Sequence, residues 1–280
     1  MPAPMPADAN NDVDRLEPFG FDAQASSFGE RTGLPPAAAA EVARQIRAAT
    51  DLRGGDWVLE LGAGTGEIGE RLAGDAGEYL GVDLSRPMLV VFRARARRAR
   101  LVQADANADW PVADGCVRVV FLARTAHLLD EGHLARELGR VGRRDGAYLV
   151  LGAVRRDPTS VRARMRASMR ELLAERGIPG RSGRASKEGL VEALAARGAA
   201  PRSVAAARWR VRETPAASLR SWRQKPGLAG RDVAVETKRE VLDALEGWAA
   251  EHFGALDAEH EAEELFELTV VRVPAGGTRA

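Results

Sequence analysis

"VLELGAGTGEIG", residues 58–69, decides how the rest of the chain is read. An apolar run leads into Gly62, Gly64 and Gly66, in alternation, and a helix-like segment follows. Glycine reaches positive φ without steric cost, so this is a tight strand-to-helix turn whose bare backbone can come close to a ligand. The dinucleotide fingerprint is Gly-x-Gly-x-x-Gly; here the third glycine arrives one residue early. By itself the turn leaves open which cofactor, if any, meets that backbone.

Acids at expected strand ends narrow the choice. Glu60 precedes the first glycine by two residues, where a carboxylate faces the ligand crevice, attracts a cation such as an ammonium and repels a pyrophosphate. Asp83 closes "EYLGVDLS", and its two oxygens suit the paired hydroxyls of a ribose. Asp105, in "QADA", ends a third strand and can accept from an adenine amine. All three fall on the carboxyl edge, where open α/β sheets bind ligands.

Working outward, "WVLEL" (57–61), "EYLGVDLS", "RLVQADA", "VRVVFLA" and "GAYLVLGAV" read as strands alternating with helices. That rhythm implies a parallel sheet with helices on both faces, and the apolar fourth and fifth strands suit its centre. After Val154 the rhythm breaks. Residues 155–186 read as a basic helical insertion, "SVAAARWRVRE" as a strand candidate, 214–262 as helical, and "LFELTVVRVP" as a final strand. Residues 1–13, rich in Pro, Ala and Asn, read as disordered. Residues 14–50 read as helical in two pieces, broken at Pro35 and Pro36.

With 41 basic against 40 acidic residues, no global field recruits nucleic acid or membrane. Cys116 is the only cysteine, which excludes an intrachain disulfide, and it reads as an incidental buried thiol. The N-terminal stretch lacks the basic and apolar regions of a signal peptide, and no apolar run approaches the ~18 residues that span a bilayer. The expectation is a soluble, cytoplasmic protein. Two arginine-rich segments, 92–100 and 155–170, suit either phosphate or RNA binding or a solvated helix face. No aromatic platform interleaves them, which disfavours nucleic acid.

Together these residues resemble the class I S-adenosylmethionine-dependent methyltransferases, in their small-molecule branch. The match runs through "VLELGAGTGEIGERLA", "GVDLSRPML", "LVQADANADWPVADGCVRVVFLARTAHLLD" and "ELGRVGRRDGAYLVLG", roughly residues 57–152. "FDAQASSFGERTGLPP" resembles the lid helix of that branch, which assigns residues 14–50 to a lid. The resemblance implies a Rossmann-like, mostly parallel α/β sheet of seven strands in the order 3-2-1-4-5-7-6, with helices on both faces and the last strand antiparallel. It makes residues 51–280 the methyltransferase domain, with helical insertions at about 155–186 and 214–262 over the active site. It places Glu60, Gly62, Ala63, Gly64 and Gly66 along the methionine part of the cofactor and Asp83 on the ribose. Leu84 and Met88 then pack near adenine or ribose, and Asp105 meets the adenine amine beside a backbone group of Ala106. The backbone at Ala123 and Arg124 accepts from the methionine ammonium, and Phe28 stands where the lid often carries an aromatic. The chain departs from relatives at "RVGRRDGAY", where they often read Arg-Val-Leu-x-Pro-Gly-Gly, in a turn remote from the cofactor.

Methyl transfer from a sulfonium is an in-line displacement that releases S-adenosylhomocysteine and needs chiefly positioning and desolvation. A base is required only where the nucleophile is weak or protonated. His127 in "ARTAHLLD" is the candidate base, with capping or packing as the alternative use. His133, His252 and His260 read as helix-surface residues, and Arg124 as a partner either of an acidic acceptor or of a lid carboxylate. The base-amine motif is missing where this chain reads "LARTA", and Cys116 follows Gly115 rather than Pro. Ala123, Arg124 and Thr125 supply no metal ligand. The expectation is therefore a metal-free enzyme acting on an oxygen, nitrogen or carbon of a small organic molecule. Two alternatives within the fold are a non-catalytic regulator or assembly protein that binds the cofactor, and an RNA methyltransferase. The glycines and Asp83 alone also suit a nucleotide-dependent oxidoreductase.

Overall fold

In a computed structural model, residues 34–74, 78–178, 189, 191–192, 200–225 and 227–273 are described. The expected disorder at 1–13, the first helical piece and Phe28 lie outside them. Helix α1 (Pro36–Thr50) begins on a proline, whose missing N–H costs nothing in a first turn, and ends at left-handed Asp51. Next come β1 (Trp57–Leu61), the short α2 (Gly69–Gly74), β2 (Glu78–Asp83), α3 (Arg86–Arg95) and β3 (Arg100–Gln103). Then follow β4 (Val117–Ala123), a single 3₁₀ turn (Ala126–Leu128), α4 (Glu131–Val141), β5 (Ala147–Arg156) and α5 (Val161–Ala174). The last described elements are β6 (Pro201–Glu213), α6 (Pro215–Arg223), α7 (Val235–Phe253) and β7 (His260–Val273).

The seven strands form one sheet in the order β3-β2-β1-β4-β5-β7-β6, as expected for a Rossmann-like methyltransferase fold. Strands β1 to β5 pair in parallel. Contacts of β5 with β7 match Gly152 to Phe266 and Arg156 to Glu264, so one chain descends as the other ascends. The ion pairs Arg208–Glu263 and Arg212–Glu259 give the same antiparallel sense to β6 and β7. In β1 and β4 nearly every residue is buried, because helices cover both faces of central strands.

Two compact units divide the described chain. The first holds the residues through Ala153, those from 184 to Ala207, and those from Phe266 onward. Its core joins Leu59, Leu61, Leu80, Val82, Val120 and Leu122 of the strands to Leu134 and Leu138 of α4. The second holds Val154–Gly183 and Arg208–Leu265. It has its own core, in which Met165, Met169 and Leu173 of α5 meet Leu219 and Trp222 of α6 and Val241, Leu242 and Leu245 of α7. Strands β5, β6 and β7 run along the chain from one unit into the other.

Some element boundaries differ from those read in the sequence. Strand β3 stops at Gln103, where its pairing with Asp83 ends, so Asp105 lies past the strand rather than on it. The stretch 214–262 is two helices and the start of a strand. Positive φ at Ala229 and Gly230 separates α6 from α7, and β7 begins at His260. Its first half alternates exposed Glu261 and Glu263 with inward Ala262 and Glu264, a polar period of two that lacks the apolar signal of a strand.

Candidate functional site

The turn after β1 is built by its own backbone. Gly62 N and Ala63 N both donate to Val82 O, at 2.8 and 3.0 Å, and Gly66 N closes onto Ala63 O at 3.1 Å. All three glycines have positive φ, for different neighbours. A Cβ on Gly62 would meet Thr125 Oγ1 at 2.3 Å, and one on Gly66 would meet the Phe92 ring at 2.3 Å. A Cβ on Gly64 would meet nothing within 4 Å. Two glycines therefore serve packing, and the middle one presents an open backbone face. Thr65, beside it, holds a buried Oγ1 with no hydrogen-bond partner among the described residues.

Asp83 ties this turn to the next. Its Oδ2 accepts from Gly64 N at 2.7 Å and its Oδ1 from Ser85 N at 2.8 Å. An ionised carboxylate offers about four acceptor directions, so these two bonds do not by themselves exhaust it. Ser85 caps α3 by accepting from Met88 N at 3.4 Å, and Met88 is buried. Leu84 is half-buried, and its carbonyl accepts from Gln103 Nε2 at 3.0 Å. The structure thus brings Gly64, Asp83, Leu84 and Met88 into one continuous arrangement across two strand ends.

Glu60 departs from its expected posture. It is 3% exposed, and the Tyr79 hydroxyl donates to its Oε2 at 2.6 Å. Gly69 and Gly81 make room for the pair: a Cβ on Gly69 would lie 2.2 Å from the Tyr79 hydroxyl and 2.5 Å from Glu60 Oε2, and Gly81 stands opposite Glu60 in the sheet. Burial pushes the Glu60 carboxyl up to about 8, against the Tyr79 hydrogen bond, which lowers it. At neutral pH the carboxyl is largely protonated in this setting, so its pull on a cation is weaker than an ionised acid's. Burial and Glu60 together push the Tyr79 hydroxyl well up. Tyr79 was not singled out in the sequence, since its role requires the strand register and both glycines.

The remaining candidates are more open. Asp105 is exposed, in a turn where Oδ1 accepts from Asn107 N at 2.8 Å. The Ala106 carbonyl accepts from the Trp110 indole at 3.0 Å. Ala123 ends β4, and its carbonyl accepts from the Thr125 hydroxyl at 3.0 Å. Arg124 follows with φ 62 and pairs at 2.6 Å with Glu67, a carboxylate of the glycine turn rather than of the lid. His127 is exposed in the 3₁₀ turn. His133 is 9% exposed, with Nε2 2.9 Å from Ala108 O, and His260 opens β7, so neither is the helix-surface residue expected. Cys116 is half-buried rather than buried, and its thiol reaches Ala113 O at 3.0 Å. Among the described residues no group of three or more His, Cys, Asp or Glu could hold a metal ion, and no helix is long and apolar enough to cross a membrane.

Residues 58–146, the segment holding these strand ends, match the family model of a methyltransferase domain. Solved structures of similar fold include the YcgJ protein from Bacillus subtilis, 16% identical, covering 84% of this chain and 99% of that one with a TM-score of 0.52. A Geobacter sulfurreducens S-adenosylmethionine-dependent methyltransferase, solved with S-adenosyl-L-homocysteine, is 17% identical over 91% of this chain and 99% of that one, with a TM-score of 0.51. A chain in the Haloferax volcanii complex of the Trm112 methyltransferase activator with a methyltransferase is 18% identical over 92% and 100%, with a TM-score of 0.52. At these identities the likeness is one of fold.

Proposed function

We propose that this chain, which carries a class I S-adenosylmethionine-dependent methyltransferase domain, transfers the cofactor's methyl group to an oxygen, nitrogen or carbon of a small organic molecule. The observation that carries the reading is Asp83, fixed by Gly64 and Ser85 N–H groups beside a glycine whose outer face is open. The orphaned Thr65 hydroxyl in the same turn fits a ligand that brings polar atoms to the backbone.

In this proposal Gly62, Ala63, Gly64 and Gly66 lie along the methionine part, with Glu60 below them. Asp83 takes the ribose hydroxyls between Leu84 and Met88. Asp105 and Ala106 serve the adenine, and the Ala123 carbonyl, with one lone pair already used by Thr125, offers the other to the ammonium. When bound, the sulfonium supplies an activated methyl and a leaving group that needs no proton. The residues act by holding donor and acceptor in line and excluding water. Where the acceptor carries a proton, His127 is the group assigned to take it.

Two measurements test this. Incubating the protein with labelled S-adenosylmethionine and cell extract, followed by mass identification of the labelled product, should yield a methylated small molecule. Label confined to RNA, or no transfer at all, overturns the reading. Calorimetry at pH 7 in buffers of different ionisation enthalpy should reveal proton release on cofactor binding, because an ammonium near Glu60 favours its ionised form. Absence of release removes Glu60 from the cofactor's contacts.

A further inference from the structure

The basic segment after β5 folds into α5, where Val161, Met165, Met169 and Leu173 form the buried stripe. Arg162 and Arg166 stand one turn apart on its flank, both half-buried. The Arg162 backbone N–H donates to Glu213 Oε2 at 3.0 Å, and its guanidinium lies 5.5 Å over the Trp222 ring. Its Nη2 reaches Ser221 Oγ only at 3.4 Å, and its Nε is buried without a hydrogen-bond partner among the described residues. Arg166 has neither ion pair nor hydrogen bond among the described residues. Burial, and then the neighbouring cations Arg156, Arg162 and Arg170, push its guanidinium down to about 10.

The two carboxylates that act on Arg162 are committed elsewhere. Glu264 pairs with Arg156 at 2.7 Å, and Glu213 caps the α5 backbone. Both act on Arg162, and neither reaches Arg166. Trp209 Nε1 and His260 Nε2, also in this unit, are buried without an acceptor among the described residues. Holding a partly desolvated cation among like charges is costly unless an anion completes the arrangement. A guanidinium fork matches the paired oxygens of a carboxylate or phosphate.

We propose that the second unit carries an oxyanion site in which Arg162 and Arg166 bind the carboxylate or phosphate group of a small acidic molecule, with Arg156 adding to the local positive charge. The half-buried setting and the lack of aromatic residues in 155–170 favour a small anion over RNA, which is held on exposed stripes with stacking rings. The site stands on this unit alone and does not rest on the methyl-transfer reading.

The test titrates the full-length protein with inorganic phosphate and, separately, with benzoate, at constant ionic strength balanced by chloride, read by calorimetry. Saturable binding of either anion is expected, and the tighter one identifies the preferred oxyanion. Arg166→Gln should weaken it roughly tenfold or more. Arg166→Lys, which keeps the charge and loses the fork, should fall between, and Arg176→Gln, an equal charge change elsewhere, should leave it unchanged. Without anion, Arg166→Gln should melt at or above the parent temperature, because repulsion is relieved; a packing role would lower it. No saturable binding of either anion, undiminished binding in Arg166→Gln, or binding of a short single-stranded RNA but of neither anion would overturn the proposal.

Discussion

The strand ends of the first unit and helix α5 of the second treat charge in opposite ways. At the strand ends each acid already has a donor: Asp83 the backbone of Gly64 and Ser85, Glu60 the Tyr79 hydroxyl, Glu67 the Arg124 guanidinium. Along α5 the buried Arg162 Nε lacks an acceptor among the described residues, and Arg166 faces cations. The first region is organised from within, so a ligand there is received by preset groups. The second holds an imbalance that the described residues do not resolve. Preorganisation and unmet demand are two ways of preparing to bind, and they respond differently to mutation.

The sharpest way to break the comparison is to alter the charge of Glu60. Its carboxyl is raised to about 8 from an ordinary 4.5, so the stability it permits is fully present below pH 4.5 and lost as pH rises through 8. Each pKa unit of that difference is worth about 1.4 kcal/mol. Glu60→Gln should remove that part of the slope in denaturation measured from pH 5 to 9; an unchanged slope would mean that other groups carry it.

Next in size are the glycines. Gly66→Ala should cost about 2–5 kcal/mol, combining positive φ with a Cβ driven into Phe92. Gly64→Ala should cost only about 1–2 kcal/mol, from φ alone, while weakening S-adenosylmethionine binding. Equal stability losses in urea would erase the distinction between packing and ligand-facing glycines. Asp83→Ala should reduce cofactor affinity by about 1.5–3 kcal/mol, ten- to a hundredfold or more, by calorimetry. The smallest effect belongs to the second unit, where Thr214 caps α6 by accepting from Ala217 N at 3.0 Å. Thr214→Ala should cost about 1 kcal/mol of stability and leave cofactor affinity unchanged.

The sheet was legible because central strands buried on both faces spell continuous apolar runs, as "VRVVFLA" does in β4. Gly62, Gly66 and Asp83 were legible because a turn between parallel strands needs small residues and an acid at fixed offsets. Tyr79 was not, since its meeting with Glu60 depends on register and on the space left by Gly69 and Gly81. Asp105 was placed on β3 because nothing in "QADA" marks where pairing stops. The start of β7 was hidden by charge on its exposed face, where Glu261 and Glu263 meet the arginines of β6.

The strand order also has a consequence for synthesis. β7 lies between β5 and β6 yet is made after both, so the growing chain holds β6 without its sheet partner until residues 260–273 emerge. A waiting strand is a template for the wrong neighbour. Arg208, Arg210 and Arg212 project from β6 at every second position, all exposed, so a nascent chain meeting another copy presents like charge to like charge. Glu261 and Glu263 of β7 then turn that repulsive surface into a matched one.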